Sequence, residues 1–255
     1  GLLYQPTADM IGDVTITVTT IETGGSTQSD TDTLTITVIA VNDPPANVVP
    51  SSQSIAEDAP LTFSIGKTLS IFDPDEDAAS GSLTVSLQVN DGLLSLSGTA
   101  GLSFTTGDGT EDASLVVSGS PDSINAALNG MIYKSGQDFN GVSTMTLATT
   151  DTGDVGTGNN PLTDTDTVAI TVTAVNDAPL FTLSSFAMTA AENQTSVVTV
   201  TAADVDAGDS LTFTIAGGAD EALFDLDVAS GALTFKSPPN FEIPADVGGD
   251  NVHEI

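Results

Sequence analysis

The stretch SDTDTLTITVIAVNDPP (Ser29–Pro45) returns as TDTDTVAITVTAVNDAP (Thr163–Pro179). Asn42 maps onto Asn176, a spacing of 176 − 42 = 134 residues. In one copy Leu34, Ile36 and Val38 alternate with Thr, and in the other Val168, Ile170 and Val172 alternate with polar or small residues. Period-two alternation of apolar and polar residues, many of them β-branched, is the pattern of a half-buried antiparallel strand. The Asn-Asp-Pro-Pro or Asn-Asp-Ala-Pro that follows ends the strand, because proline has no N–H for the ladder and fixes its own φ. The two stretches therefore predict a repeated strand leading into a stiff linker rich in side-chain oxygen.

The repetition extends outward. GLLYQPTADMIGD (Gly1–Asp13) returns as GMIYKSGQDFNGV (Gly130–Val142), offset by 133 − 4 = 129 residues. The five-residue difference is assigned to a longer acidic, glycine-rich loop, TGDVGTGNNPLTDTD, in the second copy. A looser third copy places FKSPPNFE (Phe235–Glu242) over YKSGQDFN (Tyr133–Asn140). Residues 1–45 read as the end of one repeat, 46–179 as a whole repeat and 180–255 as the start of another. Both ends cut through a repeat, so the protein is expected to continue in both directions. A period this long makes each unit a domain rather than one turn of a solenoid.

Further strands are expected where Val14, Ile16 and Val18 alternate with Thr, at Leu83–Val89, and around Leu211, Phe213 and Ile215. Asn-Asp-Gly at 90–92 and Gly-Asp-Gly at 107–109 are turn signals. One short helix is expected in SPDSINAALNG, with Ser120 as N-cap, Pro121 at the first helical position and Gly130 at the end. The expected fold class is all-β: tandem β-sandwich repeats.

The charge balance narrows the function. The chain has 35 Asp+Glu against 3 Lys+Arg, a formal net charge of −32, with one histidine and no cysteine. Nucleic acids and anionic membranes need Lys or Arg against their phosphates, so neither is an expected partner. No apolar run approaches the length of a membrane-spanning helix, so no direct membrane insertion is expected here. Without disulfides, a secreted chain needs another brace, and metal ions supply one.

The carboxylates cluster where the repeats meet. Asn42 and Asp43 open one linker, and Asn176 and Asp177 the other. About thirty residues further come D-x-D pairs, Asp73 with Asp75 and Asp204 with Asp206, and between them lone acids, Glu57 and Glu192. Carboxylates two residues apart face one side and can share an ion, and Ca2+ takes six to eight oxygens in irregular geometry. Asp209 and Asp151 are further candidate ligands. Turn chemistry and solvated acidic loops are the competing readings of the same residues. Asp30-Thr31-Asp32 and Asp164-Thr165-Asp166, which open strands, are expected to face solvent.

These motifs resemble the cadherin family, whose linkers carry D-x-N-D-N-x-P, then x-E-x, then D-x-D. AVNDAPLF (Ala174–Phe181), AEN (Ala191–Asn193) and DVD (Asp204–Asp206) follow that order. The shortened linker is similar to that of bacterial cadherin-like repeats in large secreted adhesins of the RTX type. NFEIPADVGGDN (Asn240–Asn251) resembles the family's D-R-E region, with Glu242 at the acid position. The middle repeat also resembles chondroitin sulfate proteoglycan-type repeats. The departures are Ala40 and Ala174 in place of the first linker Asp, the missing Asn after the second Asp, and Asp138-Phe139-Asn140 without a basic residue. They imply fewer ions per junction or weaker binding. The resemblance implies one calcium junction from Asn42, Asp43, Asp73 and Asp75, with Asp151. It implies a second from Glu57, Asp138, Asn176, Asp177, Asp204 and Asp206. Glu192 and Glu242 would face a junction beyond.

Catalysis is not expected. One histidine supports no triad, and the absence of thiols excludes cysteine nucleophiles. Paired carboxylates can cleave glycosides, but the chain has no Trp and only Tyr4 and Tyr133 to form sugar platforms, and those two occupy equivalent, core-packing positions. The expected role is a calcium-rigidified extender of a bacterial extracellular, cell-surface adhesin, supporting cell adhesion or biofilm attachment. Its partners would be neighbouring repeats of the same chain, with any cell-surface glycan or protein bound by other domains. The alternatives are a glycan- or protein-binding module acting through loops such as 151–164, and an accessory stalk of a secreted hydrolase.

Overall fold

The computed structural model describes residues 2–8, 10–25, 28–76, 81–153, 160–182 and 187–255. The chain divides into two compact units, Gly1–Ala174 and Val175–Ile255. This division lies five residues before the 179/180 boundary drawn from the sequence repeat.

The first unit begins with β1 (Gly12–Ile21) and β2 (Ser29–Val38), an antiparallel hairpin. Then come β3 (Ala46–Val48), β4 (Gln53–Ala56), β5 (Leu61–Thr62), β6 (Ser70–Phe72), β7 (Leu83–Val89), β8 (Leu93–Ser95), β9 (Ser103–Thr106) and β10 (Ser114–Gly119). Helix α1 (Pro121–Leu128) precedes β11 (Ile132–Lys134), β12 (Gly141–Thr150) and β13 (Thr163–Thr173). A six-stranded sheet in the order β4-β13-β12-β7-β10-β9 faces a three-stranded sheet β5-β11-β8, and β3 pairs with β6. The result is a β-sandwich. In β7 every second residue, Leu83, Val85, Leu87 and Val89, is buried, as period two requires. Those side chains pack with Leu61, Leu94, Tyr133, Met145, Leu147, Val168 and Ile170 in one core.

The local signals act as their chemistry dictates. The Ser120 side chain accepts from the Ser123 N–H and caps α1, and Gly130 at φ +96° takes the left-handed turn that follows it. Asn125, on α1, both donates to and accepts from the Ile71 backbone and so ties the helix to β6. Gly92, in the β7–β8 turn, has φ +89° and no room for a side chain: a Cβ there would lie 2.4 Å from the Lys134 carbonyl oxygen.

The sequence repeat is also a repeat of register. Gly12 pairs with Val38 and Ile21 with Ser29, and the equivalent Gly141 pairs with Val172 and Thr150 with Thr163. The five extra residues therefore lie wholly in the connection between the paired strands. Asp164 corrects the sequence expectation. It does not point to solvent; its carboxylate accepts the Asn47 N–H at 2.8 Å and fastens the start of β13 to β3. Asp30 is exposed as expected.

The second unit contains β14 (Leu180–Phe181), β15 (Ser196–Thr199), β16 (Ala202–Ala203), β17 (Phe224–Leu226) and β18 (Ala232–Phe235). β14 pairs with β16, as β3 pairs with β6. Residues 211–215 correct a second expectation. Leu211, Phe213 and Ile215 are half-buried and alternate with exposed residues, but they form no strand ladder. Their sequence, SLTFTI (210–215), aligns with SLTVSL (82–87) at the start of β7. β7 is laddered by β12 on one side and β10 on the other. Alternation follows from facing a core, whereas a ladder needs a neighbouring strand.

Candidate metal centres

The first candidate centre lies where three strand ends converge. β3 and β6 run antiparallel, with Ala46 opposite Phe72, so the residues before one and after the other are neighbours. Asn42 and Asp43 come from the linker, and Asp73 and Asp75 follow β6. Asp151 follows β12 and joins them: the Asn42 side-chain amide donates to its Oδ2 at 3.0 Å. The Asp43 N–H donates to Asp75 Oδ2 at 2.6 Å, and the Asp75 N–H to Asp73 Oδ1 at 2.9 Å. Glu76 lines the same group, accepting from Thr152 and from the Ser82 N–H.

Burial gives this cluster its chemistry. Asp73 is 2% exposed and Asp151 6% exposed. Asp73 Oδ2 is buried and has no hydrogen-bond partner. Desolvation pushes the Asp73 carboxyl above its ordinary value; the Asp75 amide opposes this, and the charges of Asp151, Asp75 and Glu76 add to it. Among the described residues the one ion pair is Lys236 with Asp225, so no lysine neutralises these acids. A buried, uncompensated carboxylate costs on the order of several kcal/mol. The donors are all oxygen, with no sulfur or imidazole, and suit a hard cation of the calcium type.

The second unit repeats the construction. The Asp177 N–H donates to Asp206 Oδ2 at 2.7 Å, and the Asp206 N–H to Asp204 Oδ1 at 3.0 Å. Asp204 and Asp206 are half-buried and Asp209 is exposed, and one oxygen from each lies within 4.8 Å of the others. Asn176 turns its amide to the Asp177 carbonyl. A cleft of about 370 Å³ is lined by Asn176, Asp177, Asp204 and Asp209.

The remaining candidates are placed as follows. Glu57 is buried just past β4, and its N–H donates to the Thr173 carbonyl at the end of β13. Asp138 is half-buried at φ +54° between β11 and β12, with Gln137 donating to its carboxylate. Glu192 accepts the Phe241 N–H, which brings it beside Glu242; both are exposed. Asp58 and Asn193, which follow the two lone glutamates, both take the left-handed conformation, at φ +63° and +62°.

Sequence reasoning missed the buried acids Asp220 and Asp246. Asp220 accepts the Val247 and Glu254 N–H groups, and Asp246 those of Asp250 and Asn251. These carboxylates are satisfied by backbone amides and anchor a loop, in contrast to Asp73. Residues 154–159 and Asp77 lie outside the described residues.

No protein-family model matches the chain, and no curated protein matches it. Solved structures do resemble it. Mouse cadherin-23 EC22-24 is 21% identical at a TM-score of 0.44, over 94% of this chain and 68% of that one. Human CDH23 EC21-23 is 18% identical at 0.41, over 92% and 68%. The protocadherin gammaB7 EC3-6 cis-dimer is 20% identical at 0.41, over 92% and 52%. All three TM-scores lie below 0.5.

Proposed function

We propose that the chain is a run of calcium-locked repeats, 1–45, 46–179 and 180–255, from the stalk of a bacterial extracellular adhesin. The observation that carries this reading is the buried Asp73 oxygen, without a partner, among Asp43, Asp75, Asp151 and Glu76, none of them ion-paired to a lysine. Asp73, Asp75, Asp151, Asp43 and Asn42 would hold one Ca2+, and Asn176, Asp177, Asp204, Asp206 and Asp209 another. The bound ion supplies charge neutralisation: carboxylates that repel one another become ligands of one centre. Each centre draws on a linker and on the repeat that follows it, so occupancy stiffens the chain where repeats join. The bacterial cell-surface setting rests on the likeness of the linker motifs to those of adhesin repeats.

The test is thermal unfolding and limited proteolysis, in millimolar calcium and in excess chelator. A higher melting temperature with calcium, and protection of the peptide bonds around Asn42-Asp43 and Asn176-Asp177, are expected. Superimposable curves and identical cleavage in both conditions would discard calcium locking.

A further inference from the structure

Three segments meet at the first centre, and hydrogen bonds join them in a closed ring. The Asn42 side-chain amide donates to Asp151 Oδ2 at 3.0 Å and to the Asn160 carbonyl at 3.3 Å, which ties the linker to the loop after β12. The Asp43 N–H donates to Asp75 Oδ2 at 2.6 Å, which ties the linker to the loop after β6. The Thr152 hydroxyl donates to Glu76 Oε1 at 3.1 Å and closes the ring between those two loops. Glu76 Oε2 accepts the Ser82 N–H at 3.0 Å, so both carboxylate oxygens of Glu76 are held. Thr152 and Glu76 are each the chain neighbour of an acid of the centre, Asp151 and Asp75. Asp73, joined to the ring through the Asp75 N–H, keeps its buried Oδ2 without a partner. All of these residues belong to one linker and to the one whole repeat that follows it.

The bond that closes the ring works against charge. Asp73, Asp75, Glu76 and Asp151 are acids brought together with no lysine paired to them among the described residues. The Thr152–Glu76 bond therefore holds together two loops whose carboxylates repel. An oxygen site gains calcium affinity from the charge of its surroundings and from its rigidity. Glu76, half-buried, supplies both. The second unit lacks this device. DPDE (Asp73–Glu76) corresponds there to DVDA (Asp204–Ala207), and alanine adds no charge and clasps nothing. A third carboxylate comes instead from Asp209, which is exposed.

We propose that Glu76 sets the calcium affinity of the first centre: its carboxylate clasps Thr152 and so holds Asp75 and Asp151 ready for one ion. This role rests on the calcium reading above. Glu76 is a positioning residue, acting through the two ligands beside the clasp. With the ring closed, the linker and both loops are joined before the ion arrives, so less ordering remains for binding to supply. The residue that follows D-x-D becomes a setting that differs from one repeat to the next, glutamate in one and alanine in the other.

The test is calorimetric titration with calcium of the full 255-residue chain carrying Asp204→Ala and Asp206→Ala, so that the first centre alone is read. Thr152→Val removes the clasp and keeps every charge. Glu76→Gln keeps an acceptor for Thr152 and removes the charge, and Glu76→Ala removes both. Thr152→Val is expected to bind calcium about fivefold more weakly than its parent, and Glu76→Ala more weakly still. Added salt screens the charge of Glu76, so the deficit of Glu76→Gln should shrink while that of Thr152→Val persists. In chelator, Thr152→Val should unfold at the parent's denaturant midpoint. Calcium binding as tight in Thr152→Val and Glu76→Ala as in the parent overturns the clasp and leaves the calcium reading standing. A parent that takes up no calcium overturns both. A loss of stability in Thr152→Val as large in chelator as in calcium also overturns the clasp, since the bond would then serve packing alone.

Discussion

The backbone N–H of Asp43 donates to a carboxylate oxygen of Asp75 at 2.6 Å, and the same bond recurs 134 and 131 residues later between Asp177 and Asp206 at 2.7 Å. A linker amide thus holds the second carboxylate of each D-x-D pair, while that residue's own amide holds the first. Two amides fix the pair without using all of its oxygens, so lone pairs remain for an ion. The arrangement recurs because the two segments are copies of one repeat, and in each copy it presents the pair of carboxylates in the same way.

Asp73→Asn separates charge repulsion from ligation. In chelator the variant should be more stable than wild type by about 1–2 kcal/mol, because a neutral amide replaces a buried charge. In saturating calcium the order should reverse. Paired denaturant titrations read both signs, and a variant less stable than wild type in both conditions would argue for an ordinary packing role.

Asp204→Ala with Asp206→Ala should remove the ion of the second unit and leave the first. Isothermal titration is expected to show the stoichiometry fall while the heat of the first centre persists. At calcium about a hundredfold above its dissociation constant, an occupied site contributes about 2.7 kcal/mol, and the variant should lose that amount.

Acid should act through Asp73 in a direction opposite to ordinary acid denaturation. Its folded carboxyl titrates above the ordinary 3.8, so in this range the folded state binds more protons than the unfolded. In chelator, its contribution to stability rises as pH falls from neutral through the raised value and is complete below the unfolded one. Asp227, held low by hydrogen bonds from Ser230 and Ala229, works the other way below the ordinary value. The difference between wild type and Asp73→Asn across pH isolates the Asp73 contribution. In calcium, protons compete with the ion, and affinity should fall over the same window.

Gly92→Ala should destabilise the first unit by roughly 2–4 kcal/mol, through positive φ and a Cβ too close to Lys134 and Tyr133. Chemical denaturation measures it, and a loss within experimental scatter would mean that the turn relaxes freely.

Local pattern carried much of the fold. Leu83–Val89 was legible because alternation records which side faces a core, and α1 because Ser120, Pro121 and Gly130 each satisfy a local backbone need. What depended on distant partners was not legible. Residues 211–215 alternate like a strand, yet a ladder depends on a neighbour that alternation does not encode. Asp164 resembles any acid opening an exposed strand, and only the approach of Asn47 turns it inward. At the candidate centres, spacing exposed the D-x-D pairs and the linkers. It did not reveal that Asp73 is buried more deeply than Asp75, and only the family resemblance placed Asp151 with Asn42, 109 positions away. Asp220 and Asp246 carried no motif, because a carboxylate that accepts backbone amides needs only the right loop around it.

The hairpin register survives a connection that grows from residues 22–28 to residues 151–162. By loop-closure entropy that lengthening costs only about 0.5 kcal/mol. Strand pairing therefore sets the register whatever the length of the connection, and the hairpin is the part of the repeat whose length can vary between copies without moving the core.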